Sequence, residues 1–271
     1  MQPSRHRKVL LSGQGADELF GGYVRYLIAG NAGTTSLTSA LQGVGDYTAL
    51  ADRLDGSVAD SAARYFRLID RSNGLEAEIR CRSLERQAPF EAFQQIFRAN
   101  GDGMSALDLM HRFDVQTVLP ALLHVEDRVS MAHGLESRVP FLDHPLVEFA
   151  ARIPAAIKMK DGVLKHLLRQ AMRRALPESI ASRTTKMGFP VPFHDWLRAP
   201  GVVRDFVIDV LSSEAARTRS LIDNGAVLAR LDTEPRFGRA IWGFLCLELW
   251  QRAFHDESSR FERLMTRSEQ V

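Results

Sequence analysis

Hydrophobic positions near the start of the chain predict one short strand, a turn and a helix. Residues 8–11 form an apolar run that stops at Ser12 and Gly13, which is typical of a buried strand ending in a turn. Over residues 16–27 the apolar positions recur at helical spacing. Residues 30–46 are rich in Gly, Ser and Thr, and this composition predicts a loop.

Helical patterns dominate the rest of the chain. One apolar face begins with Leu119, Leu122 and Leu123. A longer stripe over residues 163–175 predicts a helix that has Asp161 as its N-cap and ends at Pro177. Residues 240–254 are predicted to form a buried closing helix.

The lone strand determines the predicted fold class. A strand followed by a helix belongs to a parallel sheet with both faces covered, and the remaining sequence offers almost no partner strand. We therefore expect a mostly α chain, an α/β remnant with one N-terminal parallel strand whose neighbours are encoded elsewhere. Residues 1–29 are predicted to be a strand–Gly loop–helix motif, residues 47–255 a helical body, and residues 256–271 a frayed tail.

Composition narrows the class of protein. Hydrophobic residues make up 45% and charged residues 25% of the 271 residues, and the formal net charge is +2, so no nucleic-acid partner is indicated. Cys81 and Cys246 lie far apart in apolar surroundings, which predicts reduced core thiols. No apolar run approaches the ~20 residues that cross a bilayer. We expect a cytoplasmic protein without a membrane segment.

The stretch "SGQGADE" is the first candidate site, because a Gly-rich turn between a strand and a helix presents unpaired N–H groups to an anion. It is neither a Walker loop, which needs Gly-Lys, nor a dinucleotide fingerprint, which needs a third glycine where Glu18 stands. A carboxylate beside phosphate needs a cation between them, and Mg²⁺ prefers such oxygen ligands. Asp17 is therefore a candidate magnesium ligand. The alternative is that Asp17 and Glu18 only stabilise a helix N-terminus.

Glu126 is the second candidate, because helical spacing places this carboxylate on the apolar face that starts at Leu119. A buried acid must be paired, or its pKa must rise. One interpretation is a structural ion pair with Arg128 or Arg138. The other is an acid positioned in a cleft.

Lys186 is the third candidate. It lies in "RTTKMGFPVP", where a lysine in a rigid turn would neutralise charge on a leaving phosphate. Most lysines, by contrast, are solvated surface charges. Lys165, Arg169 and Arg173 are spaced by four residues opposite the apolar stripe, which predicts a solvated face.

Three long motifs in one order carry a family resemblance. "LSGQGADELFGGY", "EDRVSMAHGLESRVPFLDHPLVEFA" and "KHLLRQAMRRALPESIASRTTKMGFPVP" resemble the synthetase domain of the asparagine synthetases over residues 8–196, and "IWGFLCLELW" is similar too. The resemblance implies the adenine-nucleotide α-hydrolase-like (ATP-pyrophosphatase) fold. It also implies a ligase of amino-acid biosynthesis that uses ATP and Mg²⁺ to adenylate the side chain of aspartate. Ammonia, released from glutamine by a separate glutaminase domain, then gives asparagine, AMP and pyrophosphate.

The same resemblance implies residue roles. The expected site residues are Ser12, Gly13 and Gly15 for the nucleotide, Asp17 for magnesium, and Lys186, Glu126 and Gln14 for catalysis. Lys186 matches the lysine that stabilises the adenylation transition state. Glu126 lies near a catalytic glutamate of the related β-lactam synthetases. Gln14 stands where asparagine synthetases often carry an acid, so ammonia attack is expected to use another group, and Glu126 is the candidate.

Two departures from the family pattern leave rival hypotheses open. The phosphate loop Ser-Gly-Gly-x-Asp-Ser is absent, and so are a glutaminase domain and an N-terminal nucleophilic cysteine. We expect the chain to begin partway through the synthetase domain and to be inactive alone. One rival is a sister ligase that forms a β-lactam or a peptide amide. The other is a non-catalytic fragment that acts as a partner module, and a homo-oligomer or a companion chain is compatible with each.

Overall fold

The computed structural model describes residues 7–30, 60–72, 74–80, 87–183, 191–235 and 238–259. The chain divides into two compact units, Met1–Ile69 with Gln87–Lys186, and Asp70–Arg86 with Met187–Val271. Most described residues are helical, as the hydrophobic pattern predicts.

The first unit contains two short strands and a series of helices. In chain order the described elements are β1 (Val9–Leu11), α1 (Ala16–Phe20), α2 (Val24–Gly30), α3 (Ser61–Ile69), α4 (Gln87–Arg98), α5 (Ala106–Gln116), α6 (Val118–Met131), β2 (Glu136–Arg138), α7 (His144–Ala151), α8 (Ala155–Lys158), α9 (His166–Ala171) and α10 (Glu178–Ala181). Short 3₁₀ turns lie at Pro140–Leu142 and Lys160–Gly162.

The strand β1 has a parallel partner, so the prediction of a single strand is wrong. Val9 pairs with Glu136 and Leu11 pairs with Arg138 in the parallel register of β1 and β2. The hydrophobic pattern missed β2 because its sequence is Glu-Ser-Arg. Backbone hydrogen bonds form this pairing, and they do not require apolar side chains.

A turn at Gly21 and Gly22 divides the predicted helix over residues 16–27 into α1 and α2. Gly21 has φ 71°, which ends α1 in the left-handed conformation that glycine adopts at low cost. A Cβ atom on Gly22 would lie 1.9 Å from Oδ1 of Asp17 and 2.4 Å from Cε of Lys165. Gly21 is therefore needed for its positive φ, and Gly22 is needed because the chain passes close to these charged side chains.

A buried polar cluster ties together the apolar core of the first unit. Asp114 on α5 is fully buried, and its Oδ2 accepts hydrogen bonds from Tyr26 at 2.5 Å and Tyr65 at 2.6 Å. Arg25 donates to the same oxygen at 2.6 Å. Because a buried carboxylate is costly unless it is paired, this cluster determines how α2 and α3 pack on α5.

The predicted helix over residues 163–175 is much shorter than its apolar stripe. It begins at His166, after Lys165 in a left-handed conformation (φ 54°), and ends at Ala171. Asp161 lies in the preceding 3₁₀ turn and does not cap this helix. Leu164, Leu167 and Leu168 are half-buried, whereas the other apolar positions of the stripe are exposed.

The second unit is helical in its described part. Its elements are α11 (Phe193–Arg198), α12 (Val202–Ser212), α13 (Glu214–Thr218), α14 (Asn224–Ala229), α15 (Ala240–Trp250) and a π-helical turn (Gln251–His255). Its core packs α12 and α14 against the buried side of α15. Glu248 on α15 is buried, and it accepts hydrogen bonds from Arg219 at 2.7 Å and from Arg252 at 2.9 Å.

The closing helix differs from its prediction. Trp242, Trp250 and Phe254 are exposed, because only one side of α15 faces the core. Cys246 is exposed as well, so its prediction as a core thiol is wrong. Cys81, residues 31–46 of the predicted loop and residues 260–271 of the predicted tail lie outside the described residues. Among the residues that are described, no helix is both long and apolar enough to cross a membrane.

Candidate active site

The candidate site begins where β1 ends. The N–H of Ser12 donates to the carbonyl of Arg138 at 2.7 Å, and this bond continues the parallel pairing into the turn. The N–H of Gln14 donates to Oγ of Ser12 at 3.4 Å. The hydroxyl of Ser12 and the side chain of Gln14 are thereby held at the carboxyl end of the sheet, where ligands of open α/β sheets bind.

The two glycines of the turn have different surroundings. Gly15 has φ 90°, and a Cβ atom there would lie 2.4 Å from Cδ2 of Leu142, so only glycine fits. Gly13 has no atom within 4 Å of such a Cβ position. As far as the described residues show, the backbone at Gly13 is uncovered, as a ligand-facing turn requires.

Glu126 faces this turn from α6. Its carboxylate accepts the hydroxyl of Ser137, which lies on β2. Burial raises the pKa of Glu126, but hydrogen bonds from Ser137, Ser12 and Gln14 outweigh burial and lower that pKa below its ordinary range. The structure therefore brings together three of the residues singled out in the sequence.

The predicted structural alternative for Glu126 is wrong. Arg128 pairs with its neighbour Asp127 at 2.6 Å, and Arg138 pairs with Glu136 at 2.8 Å. Both arginines are largely exposed, and each forms its ion pair at the surface. Among the described residues, the partners of Glu126 are neutral hydrogen-bond donors, and no ion pair neutralises its charge.

Asp17, in the first turn of α1, pairs with a lysine that the sequence pattern assigned to a solvated face. Nζ of Lys165 lies 3.0 Å from Oδ2 of Asp17. The N–H of Lys165 donates to the carbonyl of Gly21 at 3.1 Å, so the backbone also joins the two segments. The prediction of a solvated Lys165 is wrong because α9 starts later than its stripe suggests. In the sequence, Gly22 was the residue that could have indicated this contact, because glycine is often found where another group approaches the backbone closely.

Glu18 has a different role from Asp17. It is 1% exposed, and its Oε1 accepts the hydroxyl of Tyr23 at 2.5 Å. Burial, and then the hydrogen bond to Glu18, raise the pKa of Tyr23 well above its ordinary range. The guanidinium of Arg25 lies 3.7 Å from the centre of the Tyr23 ring. Glu18 is therefore a buried residue that binds Tyr23 after the Gly21–Gly22 turn, whereas the side chain of Asp17 is partly exposed to solvent.

A magnesium ion fits Asp17 only with help from a ligand. Within the described ranges, no group of three or more His, Cys, Asp or Glu side chains is arranged to hold a metal ion. Asp17 offers one carboxylate, 30% exposed, beside a turn with open backbone. Magnesium is commonly held by one or two carboxylates while phosphate oxygens and water complete its shell. The donor set therefore fits magnesium that arrives with a nucleotide.

Arg169, predicted to be solvated, instead binds three main-chain carbonyls. Its Nε donates to Leu164 at 3.1 Å, and its Nη1 donates to Ala181 at 2.9 Å and to Arg183 at 2.8 Å. Arg173, the third member of the predicted face, is exposed. Lys186 lies outside the described residues, so its role stays a prediction.

Comparisons with known proteins point in one direction. The family model described as asparagine synthase matches residues 3–252. A protein of Mycobacterium tuberculosis named "Putative asparagine synthetase (glutamine-hydrolyzing)" is 31% identical, over 94% of this chain and 40% of its own length. Asparagine synthetase (glutamine-hydrolyzing) 1 of Bacillus subtilis is 29% identical, over 92% of this chain and 41% of its own length. A shorter match, 27% identical over 42% of this chain, is to the amidase chry2 of Gibberella zeae.

The chain spans about 40% of the length of the two longer matches. The family model covers more than nine-tenths of the chain, and it includes both the turn at Ser12 and the helix that bears Glu126. On this match, the chain belongs to the asparagine synthase family.

Proposed function

We propose that this chain carries part of the active site of an ATP-dependent amide ligase of asparagine synthetase type. Its first unit would be the later, helical part of an adenine-nucleotide α-hydrolase-like domain. The observation that carries the proposal is the cluster of Ser12, Gln14 and Glu126 at the carboxyl end of β1 and β2. Family membership supports it independently.

The proposed reaction has two steps. A side-chain oxygen of aspartate attacks the α-phosphorus of ATP, and the bond to pyrophosphate breaks. Ammonia then attacks the activated carbonyl carbon, the bond to AMP breaks, and a proton leaves the nitrogen, giving asparagine. Ammonia would come from glutamine through a glutaminase domain outside this chain.

Negative charge develops on the phosphates in the first step, so the chain needs cationic groups there. Magnesium held by Asp17 would supply Lewis acidity to the phosphates. The ammonium of Lys165 lies 3.0 Å from the same carboxylate, so it would share the charge of an anion placed beside Asp17. We assign Lys186 to the leaving pyrophosphate, and the turn at Ser12, Gly13 and Gly15 to the nucleotide.

The second step needs a proton acceptor near the acyl group, and we assign Glu126. Its carboxylate is ionised at neutral pH like that of any glutamate of ordinary or lowered pKa, and the hydrogen bonds from Ser137, Ser12 and Gln14 orient it. Gln14 cannot accept a proton in this way, but its amide orients Glu126. An acid on α6 would thus replace the acid that many asparagine synthetases have at the position of Gln14.

The exposed apolar surface of the first unit supports an incomplete site. Val9 and Leu11 on β1 are exposed, and so are Val125 and Val129 on α6. Parallel sheets are normally covered on both faces. We therefore expect the chain alone to associate and to lack asparagine-forming activity.

ATP–pyrophosphate exchange with aspartate tests the proposal. The assay compares the chain alone with the chain joined to the part of the Bacillus subtilis relative that lies outside the match. We expect exchange only in the joined protein. Joined protein that binds no Mg²⁺-ATP and exchanges no pyrophosphate would contradict the proposal.

A second candidate is a sister ligase with another acid or amine, such as one forming a β-lactam or a peptide amide. The pairing of Gln14 with Glu126 favours it, because the acid differs from the usual asparagine synthetase position. A panel of carboxylic acids in the same exchange assay separates the two candidates. Exchange that depends on an acid other than aspartate would support the sister ligase.

A further inference from the structure

Ser137 is a partner of Glu126 that the hydrophobic pattern did not single out. It lies in the middle of β2, between Glu136 and Arg138. The side chains of these two charged residues are exposed and pair with each other at 2.8 Å, whereas Ser137 is half-buried. Because successive side chains of a strand point to opposite faces, Ser137 faces α6, and its hydroxyl donates to the carboxylate of Glu126 there.

The register of the sheet places the hydroxyls of Ser137 and Ser12 on the same face. Ser137 pairs with Leu10 in the parallel ladder, and Ser12 follows Leu10 by two residues. The N–H of Ser12 donates to the carbonyl of Arg138 at 2.7 Å, so the ladder continues that far. Since side chains along a strand alternate with a period of two, the carboxylate of Glu126 accepts hydrogen bonds from both hydroxyls.

The connection between α6 and β2 keeps the hydrogen bond from Ser137 in place. The helix ends at Met131, and the strand begins at Glu136. The N–H of Leu135 donates to the carbonyl of Ser130 at 3.0 Å, which closes this short connection. A free glutamate side chain samples many rotamers, and a donor that is held in a strand restricts them. Ser137 therefore limits where the carboxylate on α6 can lie.

We propose that Ser137 is a positioning residue for the second step of the ligase reaction, because its hydroxyl holds the carboxylate of Glu126 where it accepts a proton from the attacking nitrogen. The inference rests on the proposed function, which assigns the proton acceptor to Glu126. Ser12 and Gln14 donate to the same carboxylate, but both belong to the turn beside the nucleotide. Ser137 lies on β2, outside that turn. Loss of its hydroxyl should therefore impair amide formation and leave adenylation intact.

Two assays of the joined protein separate the two steps. ATP–pyrophosphate exchange with aspartate measures adenylation, and the formation of asparagine from aspartate, ATP and ammonia requires both steps. We expect Ser137→Ala to lower kcat for asparagine formation by roughly 10–10²-fold, as a misplaced catalytic group does, and to change the exchange rate by less than about twofold.

Two further variants serve as controls, and circular dichroism checks that every variant is folded. Ser137→Thr retains the hydroxyl and suits a strand, so its asparagine formation should stay within about threefold of the wild type. Ser130→Ala removes a hydroxyl that donates to the carbonyl of Asp127 at 3.2 Å, and it should match the wild type in both assays. A threonine variant as impaired as Ser137→Ala would contradict the inference, because the hydroxyl would then not be the group that matters.

A double-mutant cycle shows whether Ser137 acts through Glu126. Glu126→Gln should lower asparagine formation and retain exchange, and in that background Ser137→Ala should cause less than about a twofold further loss. If Ser137→Ala is equally harmful in both backgrounds, or lowers exchange as much as asparagine formation, Ser137 does not position Glu126 and the inference is wrong.

The remaining outcomes separate this inference from the function on which it rests. If Glu126→Gln lowers asparagine formation but Ser137→Ala leaves it unchanged, the inference alone is wrong. If Glu126→Gln has no effect, the role assigned to Glu126 is wrong, and the inference is wrong with it. Exchange that is absent from the wild-type joined protein contradicts the proposed function itself.

Discussion

Acid should destabilise the first unit through one buried histidine, His111 on α5. Neither ring nitrogen has a hydrogen-bond partner among the described residues, and the ring packs 4.4 Å from that of Tyr26. Burial, and then the positive charge of buried Lys158, lower the pKa of His111 to about 3, although nearby Asp108 opposes this. The protonated imidazole is therefore much less stable in the folded chain than in the unfolded chain.

The folded and unfolded chains bind the His111 proton at different pH values, and this difference gives the sign and the size of the stability change. The unfolded chain binds a proton near the ordinary histidine pKa of 6.5, whereas the folded chain does not until about pH 3. The stability contribution is intact above pH 6.5 and decreases as the pH falls from 6.5 towards 3. A pH of 5 is about 1.5 pH units below the histidine pKa of the unfolded chain. Each unit corresponds to about 1.36 kcal/mol, so the free energy of unfolding at pH 5 is lower by about 2 kcal/mol. A typical domain has only ~5–15 kcal/mol in total.

The assay compares the wild type with His111→Phe at pH 7 and at pH 5. Hydrogen exchange of α5 peptides during urea titration reports the free energy of unfolding of this unit, after correction for the intrinsic effect of pH. We expect the wild type to lose about 2 kcal/mol more than His111→Phe between the two pH values. His133→Phe, at an exposed histidine, should retain the wild-type pH dependence. Equal losses in the wild type and His111→Phe would refute the reasoning, because they would show that the folded chain accommodates the proton.

Three further predictions concern the site and the second unit. In the joined protein, Asp17→Asn should weaken Mg²⁺-dependent ATP binding measured by calorimetry, and an ATP affinity that is unchanged across a magnesium titration would contradict the assignment. Lys186→Ala should lower the turnover of pyrophosphate release by roughly 10²–10³-fold with folding intact, whereas a drop in ATP affinity alone would mark a simple binding contact. Glu248→Ala should destabilise the second unit by about 2–3 kcal/mol in urea unfolding followed by tryptophan fluorescence. This is less than the ~3–5 kcal/mol for a fully buried pair because Arg219 keeps Asp256 as a partner at 2.8 Å. A decrease in the free energy of unfolding below about 0.5 kcal/mol would contradict this prediction, because it would show that the Glu248–Arg219 pair contributes no more than an exposed ion pair.

Local chemistry made part of the site predictable from the sequence. The apolar run of β1 ends at Ser12, and the glycines after it predict a turn whatever the rest of the chain does. Gly15 confirms this reasoning, because its φ is positive and a Cβ atom there would lie 2.4 Å from Cδ2 of Leu142. The helical character of most described residues follows from the same short-range periodicity. The roles of Asp17 and Lys186 stay predictions, since they depend on a ligand.

Long-range contacts were decided only by the tertiary structure. The strand β2 forms because β1 offers backbone partners, although its own Glu-Ser-Arg sequence has no apolar pattern. Glu126 meets Ser12 and Gln14 across more than a hundred residues, and no sequence spacing encodes that distance. The sequence analysis assigned Lys165 and Arg169 wrongly to a solvated face, because periodicity shows which face of a helix is polar but not where the helix begins. The helix starts late, at His166; Lys165 pairs with Asp17, and Arg169 donates to the carbonyls of Ala181 and Arg183, where a solvated face was expected.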